Sequence, residues 1–247
     1  MINKFLRVLR KLLNYKDTLW YAKKSSSNYC EYLRRKGIKV GEDVVFRFPQ
    51  NTSIDITRPT LITIGENVDI NNHFTIMTHD FSTFVFRNVY HDFVNSSGKV
   101  TIGSNIYFGT NVTILKGVTI GDNCIVGAGS LVTHSIPPNS VAAGVPCKVI
   151  CSLDDYYKKR KEQQLNEAVE YAQSVIERKG ELTSKELFEE WSVFLTEEDY
   201  VRYPEFKKHV DWRLKQYTNI WLKGDRVVPG FERFMDLVLK NNNSKII

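Results

Sequence analysis

The chain has 247 residues, 42% of them hydrophobic and 25% charged, the make-up of an ordinary soluble protein able to bury a core in one or two domains. The four cysteines (Cys30, Cys124, Cys147, Cys151) include no CxxC pair and read as buried or free thiols in a reducing compartment, which excludes a small disulfide scaffold. A net charge of +6 points to anionic partners without naming one: nucleic acid, an anionic membrane face or a phosphorylated cofactor all fit.

Residues 1–36 form a basic N-terminal segment. In MINKFLRVLRKLLNYK, Lys4, Arg7, Arg10 and Lys11 interrupt the apolar residues, so there is neither a signal-peptide core nor a cleavage site of small residues. No apolar run is long enough to span a bilayer, and the chain reads as cytoplasmic. Ile2, Phe5, Leu6, Leu9, Leu12 and Leu13 fall at helical spacing and predict an amphipathic helix packed on its own domain. The alternative is a helix lying on the cytoplasmic face of the inner membrane.

Residues 37–151 keep a six-residue rhythm. Ile64, Ile70 and Ile76 are spaced by six, and Ile102, Phe108, Ile114, Ile120, Val126 and Val132 continue the count after a break. A helix needs a period of 3.6 and a plain strand a period of 2, so neither explains six. A short strand followed by a corner does, and three such sides make a coil of about 18 residues whose equivalent positions stack. Gly103, Gly109, Gly121 and Gly127 follow four of the hexad positions, and asparagines recur beside them. Both residue types are expected there for backbone conformations that strain other side chains.

The stretch VTIGSNIYFGTNVTILKGVTIGDNCIVGAGSLVTHSIPPNSVAAGVPCKVI (100–150) resembles the hexapeptide-repeat acyltransferases, in particular their maltose/galactoside O-acetyltransferase-like branch. The likeness covers roughly residues 38–151. It implies a mainly β fold, a left-handed parallel β-helix that departs from the usual right-handed crossover. It also implies a homotrimer with active sites between neighbouring prisms and acetyl-CoA as co-substrate.

The rhythm stops after Ile76 and leaves residues 77–99 as a long loop, of the kind that inside a regular solenoid usually carries function. His79 stands at its base, and VDINNHFTIMTHDFS is similar to the context in which the family carries its general base. Imidazole, with an ordinary pKa of about 6.5, can take a sugar hydroxyl's proton near neutral pH. The group that orients the ring stays open among the adjacent Asp80, Asp55 on an earlier coil, and a backbone carbonyl. Asn51 matches a position that contacts acceptor sugar in the family. Tyr107 stands where the family usually carries a tryptophan beside the base, and so serves both cofactor and acceptor. Thr110, Ala128 and Thr133 match positions along the pantetheine groove, each equally readable as a plain repeat corner. His134 replaces a frequent lysine near the nucleotide end, and Lys148 matches a basic position near the CoA phosphates.

His73, His79 and His91 invite a zinc reading, because some hexapeptide proteins similar to γ-class carbonic anhydrase bind zinc through three histidines. Six-residue spacing puts His73 and His79 on successive faces, whereas three imidazoles must converge within about 2.1 Å of one ion. No metal is expected.

Residues 152–247 change character. LDDYYKKRKEQQLNEAVEYAQSVIERKG reads as a long helix closed by Gly180, Thr183 to Glu186 as a capping box, Thr196 as the cap of another short helix, and Pro204 and Pro229 as punctuation of two more. This α-helical appendage could cap the solenoid, shield its strand edges or help bind the acceptor. The expected function is acetyl-CoA-dependent O-acetylation of a carbohydrate, a surface or capsular polysaccharide or its precursor, with no nucleic-acid partner. The alternatives are N-acylation of an amino-sugar and a non-catalytic hexapeptide scaffold.

Overall fold

The computed structural model describes residues 18–182, 187 and 189–243. The apolar series from Ile2 to Leu13 and the Thr183–Glu186 box lie outside them. The chain divides into two compact units, Met1–Tyr156 and Tyr157–Ile247.

The six-residue period builds the first unit. Each hexad supplies a strand of two or three residues and then a corner, and the third corner returns the chain to its starting face. Three sheets result. The first contains Lys39–Val40, Ile62–Ile64, Val100–Ile102 and Thr119–Ile120. The second contains Val45–Phe46, Val68–Ile70, Ile106–Phe108, Cys124–Val126, Ser140–Ala143 and Lys148–Ser152. The third contains Ser53–Ile54, Thr75–Ile76, Thr113–Ile114 and Leu131–Val132. Every pairing in them is parallel except the last of the second sheet, where Lys148–Ser152 turns back against Ser140–Ala143.

Register stacks like on like. Ile64, Ile102, Ile120 and Ile136 form one inward column, Phe46, Ile70, Phe108, Val126 and Ala142 a second, and Ile54, Ile76, Ile114 and Val132 a third. All thirteen are buried. Phe74 packs on Phe108 with ring centroids 4.9 Å apart. Burying a side chain of this size contributes about 1.5–3 kcal/mol, and no single coil could achieve it alone. Cys124 belongs to this core, and its burial pushes the thiol pKa upward.

The corners correct one sequence expectation. Asparagine does take the left-handed conformation: Asn67, Asn105, Asn123 and Asn139 have φ between 54° and 58°. Their side-chain amides form a ladder, each Nδ2–H donating to the next Oδ1 at 2.9–3.0 Å. The hexad glycines do not adopt positive φ. They are required by proximity, since a Cβ on Gly41 would lie 2.5 Å from the Gly65 carbonyl oxygen and one on Gly109 2.5 Å from the Ala128 nitrogen. Coils approach too closely at this point for any side chain.

The helix Ser26–Lys36 precedes the stack, capped by Ser25 and ended by Gly37 at φ 102°. It packs Tyr29 edge-on against Phe46 at 4.9 Å. The expected loop 77–99 is a structured arm. Gly98 N–H donates to the Thr78 carbonyl at 2.9 Å, closing its base. His79–Asp80 then pairs antiparallel with Ser96–Ser97 as a neck, and the helix Thr83–Val89 lies beyond.

The second unit is helical. The helix Leu153–Lys179 leads into it and stops at Gly180, where φ is 82°. Thr196 caps Glu197–Arg202 in a reciprocal box with Asp199, Pro204 begins Pro204–Leu214, and Phe231–Asn243 follows Pro229. Phe194 gathers its core, with Phe206 and Phe234 at 5.7 and 4.9 Å. Among the described residues no helix is long and apolar enough to cross a membrane.

Candidate active site

The third sheet ends on one edge of the prism, and the candidate site is built there. Asp55 follows Ser53–Ile54 directly, and its N–H bonds to the Ile76 carbonyl at 3.1 Å on the next coil. That next coil continues through Met77 and Thr78 into the arm, so Asp55 comes beneath the arm's first residues. Its carboxylate receives five donors. Oδ1 accepts from the Thr57 N–H at 2.9 Å and the Thr57 hydroxyl at 2.6 Å. Oδ2 accepts from the Thr78 N–H at 3.3 Å, from the Thr78 hydroxyl, and from His79 Nδ1 at 2.5 Å.

The electrostatics follow from this list. Burial alone would raise the Asp55 carboxyl, but the bonds from Thr57, Thr78 and His79 overcome it and hold its pKa well below the usual carboxylate range. An ionised carboxylate only accepts, so Nδ1 of His79 carries the shared proton, and in the neutral form of the ring Nε2 is the nitrogen with the lone pair. The His79 side chain is 16% exposed and that of Asp55 9%, enough to admit a reactant at the ring while shielding the carboxylate. Phe81 meets the imidazole edge-on at 5.1 Å.

Of the two carboxylates considered, the neighbour in sequence is the wrong partner for the ring. His79 and Asp80 are consecutive strand residues, whose side chains project to opposite faces. Asp80 instead accepts from Lys116 Nζ and from the Ser82 N–H at 3.0 Å, and these contacts lower its pKa. Lys116 also bonds Ser96 Oγ. Thr57, Thr78 and Lys116 escaped the sequence reading. A threonine or lysine on a repeat corner carries no signal until the fold shows which coil it faces.

The remaining predicted residues divide between edges of the prism. Leu115 N–H bonds to the Val132 carbonyl, so Thr133 and His134 extend the edge of Asp55, Thr78 and Lys116 by one coil, with Thr133 Oγ1 and His134 Nδ1 2.8 Å apart. Thr110 and Ala128 lie on another edge, between the second and third sheets, where Gly129 N–H bonds to the Thr110 carbonyl at 2.8 Å. Lys148 is exposed and pairs with Ala143, which packs beside Gly127 on that same edge. Tyr107 points outward from the second sheet between Asp69 and Ile125, with Asn71 Nδ2 3.4 Å from its hydroxyl. The expected placement of Tyr107 beside the base is therefore not met within one chain, because the two residues belong to different faces. Asn51 donates to Asn72 Oδ1 at 2.8 Å and stays outside the Asp55 cluster. His73 and His91 occupy left-handed positions at φ 56° and 55°, one at a coil corner and one on the arm. Among the described residues no three His, Cys, Asp or Glu side chains gather as metal ligands would.

A three-faced parallel coil built on a six-residue repeat, with a half-buried Asp–His pair at its edge, points to a hexapeptide-repeat protein, and comparison with known proteins agrees. Residues 99–134 match the family described as bacterial transferase hexapeptide (six repeats). The galactoside O-acetyltransferase of Escherichia coli (strain K12) is 42% identical over 112 residues, 44% of this chain and 52% of that protein. The chain thus spans about half the length of that relative. The putative acetyltransferase YvoF of Bacillus subtilis (strain 168) is 32% identical over 142 residues, 58% of this chain and 72% of YvoF. A solved galactoside acetyltransferase in complex with coenzyme A shares 30% identity, covering 57% of this chain and 79% of that one, with a TM-score of 0.41. The chain belongs to the hexapeptide-repeat acetyltransferases.

Proposed function

We propose that this protein is an acetyl-CoA-dependent O-acetyltransferase acting on a hydroxyl of a carbohydrate, a surface or capsular polysaccharide or its precursor. The observation that carries the reading is the Asp55–His79 bond, which fixes the proton on Nδ1 and frees Nε2 as a base. The acceptor O–H gives its proton to Nε2 as its oxygen attacks the thioester carbonyl. The C–S bond then breaks, the ester forms, and the imidazolium returns the proton to the CoA thiolate. No covalent enzyme intermediate is needed. Thiol release from acetyl-CoA, measured with a panel of sugars, tests this. Release that no sugar accelerates would overturn it.

In this reading the coil is left-handed, as in the family, and the working form is a homotrimer. Two features support the trimer. The base and the set Thr110, Ala128 and Lys148 lie on different edges of one prism, so a groove using both is most simply made by two chains. The arm also carries Phe81, Phe84, Tyr90 and Phe93 at 61–76% exposure, more apolar surface than a monomer usually leaves open. Light scattering should return the mass of three chains, and a fully active monomer would disprove the shared groove.

Lys148 is assigned to the CoA phosphates by charge-assisted contact. Those phosphates are remote from the thioester, so the contact acts equally on ground and transition states. Lys148→Ala should raise the KM for acetyl-CoA with kcat little changed. An unchanged KM removes Lys148 from the cofactor site.

A further inference from the structure

His79 is held twice. Its ring is bonded to Asp55, and its backbone belongs to the neck of the arm, where it faces Ser97. The next pair along the neck is Asp80 and Ser96, one residue from each strand. Lys116 Nζ donates to both of their side chains, to Asp80 Oδ2 and to Ser96 Oγ.

Lys116 is not part of the arm. It lies two residues beyond Ile114, whose strand pairs with Thr75–Ile76 on one side and Leu131–Val132 on the other. The corner it forms is also the one on which the chain lands when it leaves the arm. Gly117 N–H donates to the Lys99 carbonyl at 3.0 Å, and a Cβ on Gly98 would stand 2.7 Å from the Gly117 nitrogen. One ammonium group on the regular coil therefore ties together both strands of the neck, at the pair beside the base.

We propose that Lys116 is a positioning residue for the acetyl transfer, a latch that fixes the arm's neck to the coil and thereby sets where Nε2 of His79 points. The inference rests on the proposed function for its kinetic arm only. Neither Lys116 nor its partners need touch a reactant. A neck of two residue pairs is short, and beyond it the arm is largely exposed within its own chain, so that chain's coil holds it chiefly at the neck. Loss of the latch lets the neck pivot about the Gly98–Thr78 closure. Displacement of a reacting group by about 1 Å is enough to lower a rate by about 10²-fold. The ion pair is partly solvent-exposed, 32% for Lys116 and 39% for Asp80, so its loss should leave global stability nearly unchanged.

The test compares wild type with Lys116→Met, Lys116→Arg and the swapped pair Lys116→Asp with Asp80→Lys. Lys116→Met should lower kcat about 10- to 100-fold while the KM for acetyl-CoA stays within about two-fold. Lys116→Arg and the swap should recover part of the loss. Hydrogen exchange at the neck amides, read on the same samples without any substrate, should speed up in Lys116→Met alone. Faster exchange in a protein whose wild type shows no turnover would uphold the latch and count against the acetyltransferase reading. Unchanged exchange, or a loss confined to the KM for acetyl-CoA, would overturn the latch.

Discussion

His79→Ala is expected to lower kcat for acetyl transfer by about 10²- to 10⁴-fold, the usual contribution of a positioned general base. Without Nε2, the acceptor hydroxyl must attack before its proton has a destination. The fold should survive. His79 contributes backbone pairing to the neck, which alanine keeps, and Asp55 retains the donors of Thr57 and Thr78. Turnover under saturating acetyl-CoA, with a melting curve on the same sample, is the measurement. A well-folded His79→Ala protein with near wild-type turnover would remove His79 from the chemistry.

Asp55→Asn should come close to the same loss by another route. The amide offers one acceptor and one donor group where the carboxylate offered two acceptors. If nitrogen replaces Oδ2, it faces the Thr78 N–H and donates to Nδ1, moving the ring proton to Nε2 and abolishing the base. If nitrogen replaces Oδ1, it faces the Thr57 N–H instead. Neither orientation satisfies the site. A wrong tautomer of this kind costs up to about 10⁴ in kcat in a serine-protease triad, so a fall of at least about 10² is expected here. Nitrogen-15 NMR of the imidazole reports the tautomer directly. Retention of the Nδ1–H form with full activity would show that Asp55 does not orient the ring.

The same substitution has a signature in acid. The folded-state pKa of Asp55 is depressed below its unfolded value of about 3.9. Its contribution to stability is therefore complete at neutral pH and is lost as pH falls below about 4 toward the folded value. Wild type should lose stability over that interval more steeply than Asp55→Asn.

The coil was legible because its signal is redundant. Nine positions from Ile64 to Val132 repeat one buried role, and a period of six fits no single helix or strand. The Asp55–His79 relation was harder to read because its coil is irregular. Ile54 pairs with Ile76 at a separation of 22 residues, whereas Ile102 and Ile120 pair at 18. The extra residues, including the turn Pro59–Leu61, shift the count and hide the alignment. Adjacency then made Asp80 look as good a partner as Asp55. Alternation along a strand decides between them, but only once the neck is known to be a strand. The arm's helix and neck were illegible for lack of length: seven residues and two pairs leave no periodic trace. The glycines were found for the wrong reason, since closeness to another coil is invisible in a local pattern.

The arm's closure has a consequence for how such an enzyme can diversify. Because Gly98 bonds back to Thr78, the chain departs from and rejoins the stack at nearly the same point. What lies between is an insert, and the stack does not sense its size. Doubling the length of a flexible insert adds only about 0.6 kcal/mol of closure entropy. Under the proposed function, the arm walls the pocket while the coil keeps Asp55 in place. Choice of acceptor can then drift by lengthening, shortening or exchanging the part of the arm beyond the neck, with His79, Asp55 and the neck pairs inherited unchanged.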